Sequence, residues 1–238
     1  MALTSVALLG AVGFSALANA NTRSDLAVCA SNLRQVGRAF HMWASDHGGE
    51  NPWWVSFSDG GSYIKPGGPQ PPGGVFNVPN AGPLSVNLRN NPWLQFAFIN
   101  QELRTPALLA CPAHRLNRRA ETFSNEPTNG YFHFEMQNRA TSYFIGLHAF
   151  SQSPSSMLSG DKSILPDTLN QSCSANVGLA SMIELDGSVQ GWGDFLHPKA
   201  GNILVNDGHV EELSAAGLSA FLSGRGEENG ATHFMKPQ

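Results

Sequence analysis

Leu26-Ala27-Val28-Cys29-Ala30-Ser31-Asn32-Leu33-Arg34-Gln35-Val36-Gly37-Arg38-Ala39-Phe40-His41-Met42-Trp43 is the stretch whose reading decides the fold. Its apolar positions Leu26, Cys29, Leu33, Val36, Phe40 and Trp43 recur at spacings of 3, 4, 3, 4 and 3. That rhythm places them on one stripe of an α-helix, with Asp25, Asn32 and Arg38 off it. A helix with a single apolar stripe must bury it against another layer. No proline interrupts the chain before Pro52, and Gly48-Gly49 supplies a stop. Upstream, Met1 to Thr22 carries no charged side chain, and Arg23 is the first. Ala2 to Ala20 is mostly Ala, Leu, Val, Gly and Phe, with Thr4, Ser5, Ser15 and Asn19 as polar members. At about 1.5 Å per residue this run nearly matches a hydrocarbon core of about 30 Å. The reading is one helix from near Met1 to about His47, apolar all round at first and amphipathic afterwards. A second reading stays open. Ala18-Asn19-Ala20 fits a small-x-small cleavage site, so the run also reads as a secretory signal without its basic start, followed by a surface helix.

Composition limits what the remainder does. The 238 residues suggest one principal domain with a real core. Charged residues make up 13%, against about 25% in an average domain, and the formal net charge is −4. No basic field exists to attract nucleic acid, so no nucleic-acid partner is expected. With 5 Trp, 14 Phe and 3 Tyr the chain has enough aromatic area to fold, which excludes wholesale disorder. Gly 25 and Pro 15 indicate a loop-rich body. Cys29, Cys111 and Cys173 are too few for a disulfide scaffold and lack CxxC spacing. Three buried thiols and one disulfide plus a spare thiol are both open readings. Cys111-Pro112-Ala113-His114 puts two zinc ligands close together, but no second pair follows at finger spacing.

Further along, 59–74 reads as a Gly/Pro-rich loop. A short helix is expected over 91–103, with Asn91 as cap and Pro92 at its first position. Short strands are expected over 107–111, 141–148 and 177–185, the last ending at Asp186-Gly187, and a loop over 151–167. The 202–213 segment has the form strand, Asp207-Gly208 turn, strand, because glycine accepts the positive φ of a tight hairpin. Ser214 then caps a short helix through Leu222, ended by Gly224. Residues 227–238 read as a tail.

Three motifs now stand in order. Cys29-Ala30-Ser31-Asn32-Leu33-Arg34-Gln35-Val36-Gly37, with Phe40-His41-Met42-Trp43, resembles the stem of pilin-like proteins related to type II secretion pseudopilins. Leu109-Ala110-Cys111-Pro112 resembles a recurrent strand in them. His197, nine residues, then Asp207-Gly208 matches the His-x9-Asp-Gly pattern of one large group. The likeness covers about a third of the chain. It implies an α+β, pilin-like fold, a long N-terminal helix packed on a small antiparallel sheet with large loop insertions. Residues 1–48 would be the stem, 1–20 its membrane and filament-core part, and 49–238 the head with hairpin 202–213. The family's basic leader, cleavage junction and early Glu are not found, so Met1 would lie inside the membrane helix, as in a late start or a trimmed chain.

The resemblance implies a structural subunit of a cell-envelope filament or secretion apparatus, self-associating through its helix and joining other pilin-like subunits. The subunit would sit in the inner membrane as a single-pass protein before assembly, with an exported head. Gly10, Gly13, Ala16 and Ala20 would permit close helix approach. His197, Asp207 and Gly208 are the family-motif residues; Cys29, Asn32, Leu33 and Gln35 are those of the stem. Within this fold Cys29 lies on the buried stripe and Cys111 near it, so this is the favoured pair if a disulfide forms. An enzyme is not expected. His209 and Glu211 share a strand face, yet no catalytic motif accompanies them. No cofactor is expected beyond calcium, for which Asp186, Asp194 and Asp207 are candidates by type, although their spacing is not that of an EF-hand. The alternative function is an exported ligand-binding protein, with Trp53-Trp54, Trp93 and Trp192 as an aromatic platform for carbohydrate.

Overall fold

A computed structural model describes residues 2–65, 67–88, 91–115, 118–165, 180–185, 191–197, 199–224 and 232–237; for 2–20, 88, 180–185, 224 and 232–233 only the backbone course is described. Cys173, Asp186 and the expected turn at 186–187 lie outside these residues. Helix α1 runs Ala2–Asp46. Its stripe is buried from end to end: Leu26 and Trp43 are 5% exposed, and Cys29, Leu33, Val36 and Phe40 are fully enclosed. Gly48 and Gly49 follow with positive φ, and the Gly49 N–H returns to the Ala44 carbonyl, which closes the helix.

The side chains described from Asn21 onward include exposed Arg23, Arg34, Arg38 and Asp46 opposite that stripe. Among the described residues no helix is long and apolar enough to cross a membrane. The expected single-pass inner-membrane location is therefore corrected: from Asn21 onward the helix is one-sided, with charges along its outer face, whereas a span must be apolar all round.

After α1 come a small hairpin, β1 (Val75–Val78) and β2 (Gly82–Ser85), and two short helices, α2 (Pro92–Phe98) and α3 (Asn100–Leu103). Pro92 opens α2, although Asn91 makes no side-chain cap. The main strands are β3 (Tyr143–Gly146), β4 (Met157–Asp161), β6 (Ala180–Leu185), β8 (Ala200–Val205), β9 (Val210–Ser214) and β10 (Thr232–Pro237). They form one antiparallel sheet in the order β6-β10-β3-β4-β8-β9. A separate pair joins β5 (Ile164–Leu165) to β7 (Gly191–Trp192).

Strand alternation divides the core in two. Tyr143, Ile145, Leu204 and Met235 face the α1 side, together with Leu94, Phe96 and Phe98 of α2. Phe144, Ile203, Val205 and Phe234 face the opposite side, where helix α4 (Ala215–Gly224) covers them with Leu218, Phe221 and Leu222. Ser214 Oγ accepts the Gly217 N–H at the start of α4. The protein is thus α+β, with an N-terminal helix packed on an antiparallel sheet.

Three sequence expectations are corrected. The 227–238 tail contains β10, an interior strand between β6 and β3; its partners are far away in sequence, and no local alternation marks it. The 151–167 loop contains β4 and β5, where Ser159 and Gly160 are buried because they pair on both sides, and Asp161 is buried where β4 ends against Tyr143 of β3. The strand expected at 107–111 is a 3-10 turn over Pro106–Leu109, opened by Thr105, whose side chain accepts the Ala107 N–H.

Candidate functional site

Where α1 crosses the sheet, the apolar interface is interrupted by a buried polar junction. The strand pairs fix it. β4 ends on Asp161, β8 is entered through His197, and the turn before Cys111 lies along α1 opposite Cys29. Cys29 and Cys111 are joined by a disulfide with Cα atoms 5.4 Å apart, closing 82 positions of chain. His197 Nε2 lies 3.2 Å from Cys111 Sγ and 3.9 Å from Asp161 Oδ2. A disulfide sulfur offers only lone pairs, so the contact places the proton on Nε2. Asp161 Oδ2 accepts the Asn202 backbone N–H at 2.7 Å and its Nδ2–H at 3.1 Å. Asn202 Nδ2 also donates to the Leu26 carbonyl of α1, 3.1 Å away. Cys29, Cys111, Asp161, His197 and Asn202 have no solvent-exposed surface.

Burial sets the electrostatics. It raises the Asp161 carboxyl to about 7, against the pull of the two Asn202 donors, and it lowers His197, which Asp25 partly offsets. Tyr143, the nearby phenol, is pushed up by burial and by Asp161. Asp161 Oδ1 and His197 Nδ1 have no hydrogen-bond partner, an arrangement that costs free energy in a dry interior.

The residues singled out in the sequence divide clearly. Cys29, Cys111 and His197 meet at the junction. Asn32 sits at its margin, its Nδ2 3.5 Å from the Tyr143 hydroxyl. Leu33 is core, and Gln35 faces solvent. Asp207 and Gly208 form the β8–β9 turn, where Gly208 has φ +95° and a Cβ there would stand 3.1 Å from His41. His41 Nε2 lies 2.8 Å from the Asn206 carbonyl oxygen. Both ends of the His-x9-Asp-Gly pattern therefore bear on α1. Exposed Asp207 is bonded to His209 Nδ1, and Glu211 to its Nε2, which together raise the His209 imidazole, Glu211 contributing most. Asp194 is exposed elsewhere.

Among the described residues the metal-compatible group is Cys29, Cys111, Asp161 and His197, with one ligand atom from each all within 4.8 Å of one another. Neither Asp194 nor Asp207 belongs to it. Asp161 and Asn202 escape a reading of the sequence because they carry no motif and Asp161 sits where a loop was expected. No local signal marks Asp161, which closes β4 between Gly160 and Lys162.

The aromatic platform is reduced to one edge. Trp53, Trp93 and Trp192 are buried, while Trp54 is 43% exposed. Trp54 stacks near Tyr63 in a groove of about 570 Å³ that also takes in Asp46, His47, Glu50 and Asp59. Compared with known protein families, curated proteins and solved structures, the chain matches none of them.

Proposed function

We propose that the protein is a pilin-like structural subunit that assembles through its N-terminal helix. The observation that carries this reading is the division of α1. Its stripe from Leu26 to Trp43 is sealed beneath the sheet, and the helix runs about 36 Å further towards its start before the first of those positions. A helix needs no such length to complete this core. The additional turns supply a surface on which copies associate, with the small residues Gly10, Gly13, Ala16 and Ala20 allowing close approach. The His-x9-Asp-Gly pattern supports the same reading, since it ties the strand behind the stem to the stem at two points. Deleting 1–21 should leave a folded monomer with a cooperative thermal transition, while the full chain forms oligomers or filaments by sedimentation and electron microscopy. Equal assembly of the two forms would refute the proposal.

A second reading rests on the Trp54 and Tyr63 groove. An exposed tryptophan beside carboxylates is suited to the face and hydroxyls of a sugar ring. Glycan-array binding lost in Trp54→Ala, with the fold retained, would favour it, and an empty array would remove it.

A further inference from the structure

The disulfide lies within a set of donors that a disulfide does not require. His197 and Asp161 stand beside Cys29 and Cys111 in a fully buried cluster, and each side chain retains one unpartnered polar atom. We propose that, once the disulfide is reduced, Cys29, Cys111, His197 and Asp161 bind one divalent cation of the zinc type. Two sulfurs, one imidazole nitrogen and one carboxylate oxygen are the donors a borderline-soft tetrahedral ion takes. The four come from separate parts of the fold: α1, the turn after Leu109, the end of β4 and the approach to β8. Their ligand atoms already lie within 4.8 Å of one another. Asn202 holds one carboxylate oxygen with two N–H donors, the kind of outer contact that orients a metal-binding carboxylate.

The chemistry balances in two steps. A dithiol reductant gives two electrons and two protons to the Cys29–Cys111 bond and leaves as its own cyclic disulfide. The two thiols then lose their protons to solvent as the cation binds both thiolates. Oxidation and metal binding therefore compete for the same sulfurs, and the junction holds either a covalent bond or an ion. This proposal does not depend on the assembly reading.

Cobalt(II) is the probe, because thiolate coordination gives a near-ultraviolet charge-transfer band and tetrahedral geometry gives strong visible absorption. The full chain is titrated without oxygen, once oxidised and once reduced by a phosphine, which takes up the oxygen of a water molecule as the disulfide opens. The reduced chain should bind about one equivalent with both bands, and the oxidised chain should show neither. His197→Ala and Asp161→Ala should each weaken binding at least about tenfold against a competing chelator, while Cys173→Ser keeps both bands. If reduction loosens the fold, cobalt or zinc should restore the near-ultraviolet circular dichroism. The proposal is overturned by a reduced, folded chain without the bands, by a loosened chain that metal does not restore, or by unchanged affinity in His197→Ala.

Discussion

Asp161 shows how far a single buried group can set the response of this protein to pH. Its carboxyl titrates at about 7 in the folded chain, against about 3.9 when unfolded. The unfolded state therefore loses its proton first, and stability attributable to Asp161 falls as pH rises from about 4 to about 7. His197 acts in the opposite direction. Kept neutral by burial, it weakens the fold as pH drops below its ordinary value of about 6.5. Comparing Asp161→Asn with the parent, both with the disulfide formed and chelator present, isolates the carboxyl. The variant should match the parent at pH 4 and exceed it at pH 8 by on the order of 2–4 kcal/mol. Urea unfolding across that range measures the gap, and a gap independent of pH would contradict the assignment. Gly208 makes a different demand. At φ +95° with His41 close by, Gly208→Ala should cost about 1–2 kcal/mol through backbone strain alone, read as a lower melting temperature.

Among the elements, α1 and β10 mark the two limits of what the sequence tells. The stripe of α1 is legible because each of its members repeats within a turn or two, so the burial pattern is local information. The 202–213 hairpin is legible for the same reason, through Asp207-Gly208. Nothing local identifies β10. Phe234 and Met235 are its buried apolar members, Lys236 is nevertheless buried with Nζ donating to the Ile164 carbonyl, and its ladders reach back to 143–146 and 180–185. Likewise the junction draws on positions 29, 111, 161 and 197. Three of these were visible as motif residues, but Asp161 becomes visible only once β4 is paired with β8. Phe234, enclosed between Phe144 and α4, provides the test at this scale. Phe234→Ala should destabilise by about 3–5 kcal/mol in chemical denaturation, whereas an ornamental tail would tolerate it within error.

For the molecule as a whole, the disulfide ties the helix to the far side of the first core and closes 82 positions. By the chain-entropy estimate, replacing both partners with serine should cost up to about 4.5 kcal/mol. The same junction fixes the alignment of strand and helix. Asn202 meets Leu26, Leu204 meets Gly37, and Asn206 meets His41, so β8 and α1 run in the same direction along their contact. From Cys29 to His41 the helix rises about 18 Å, and the six residues of β8 cover about 20 Å. The nine residues between His197 and Asp207 therefore act as a caliper whose jaws close on two fixed points of α1. One added residue within β8 would open it by about 3.3 Å and turn every following side chain to the wrong face. Either the His197 jaw or the Asp207-Gly208 jaw must then lose its seat on α1, however innocuous the inserted residue itself.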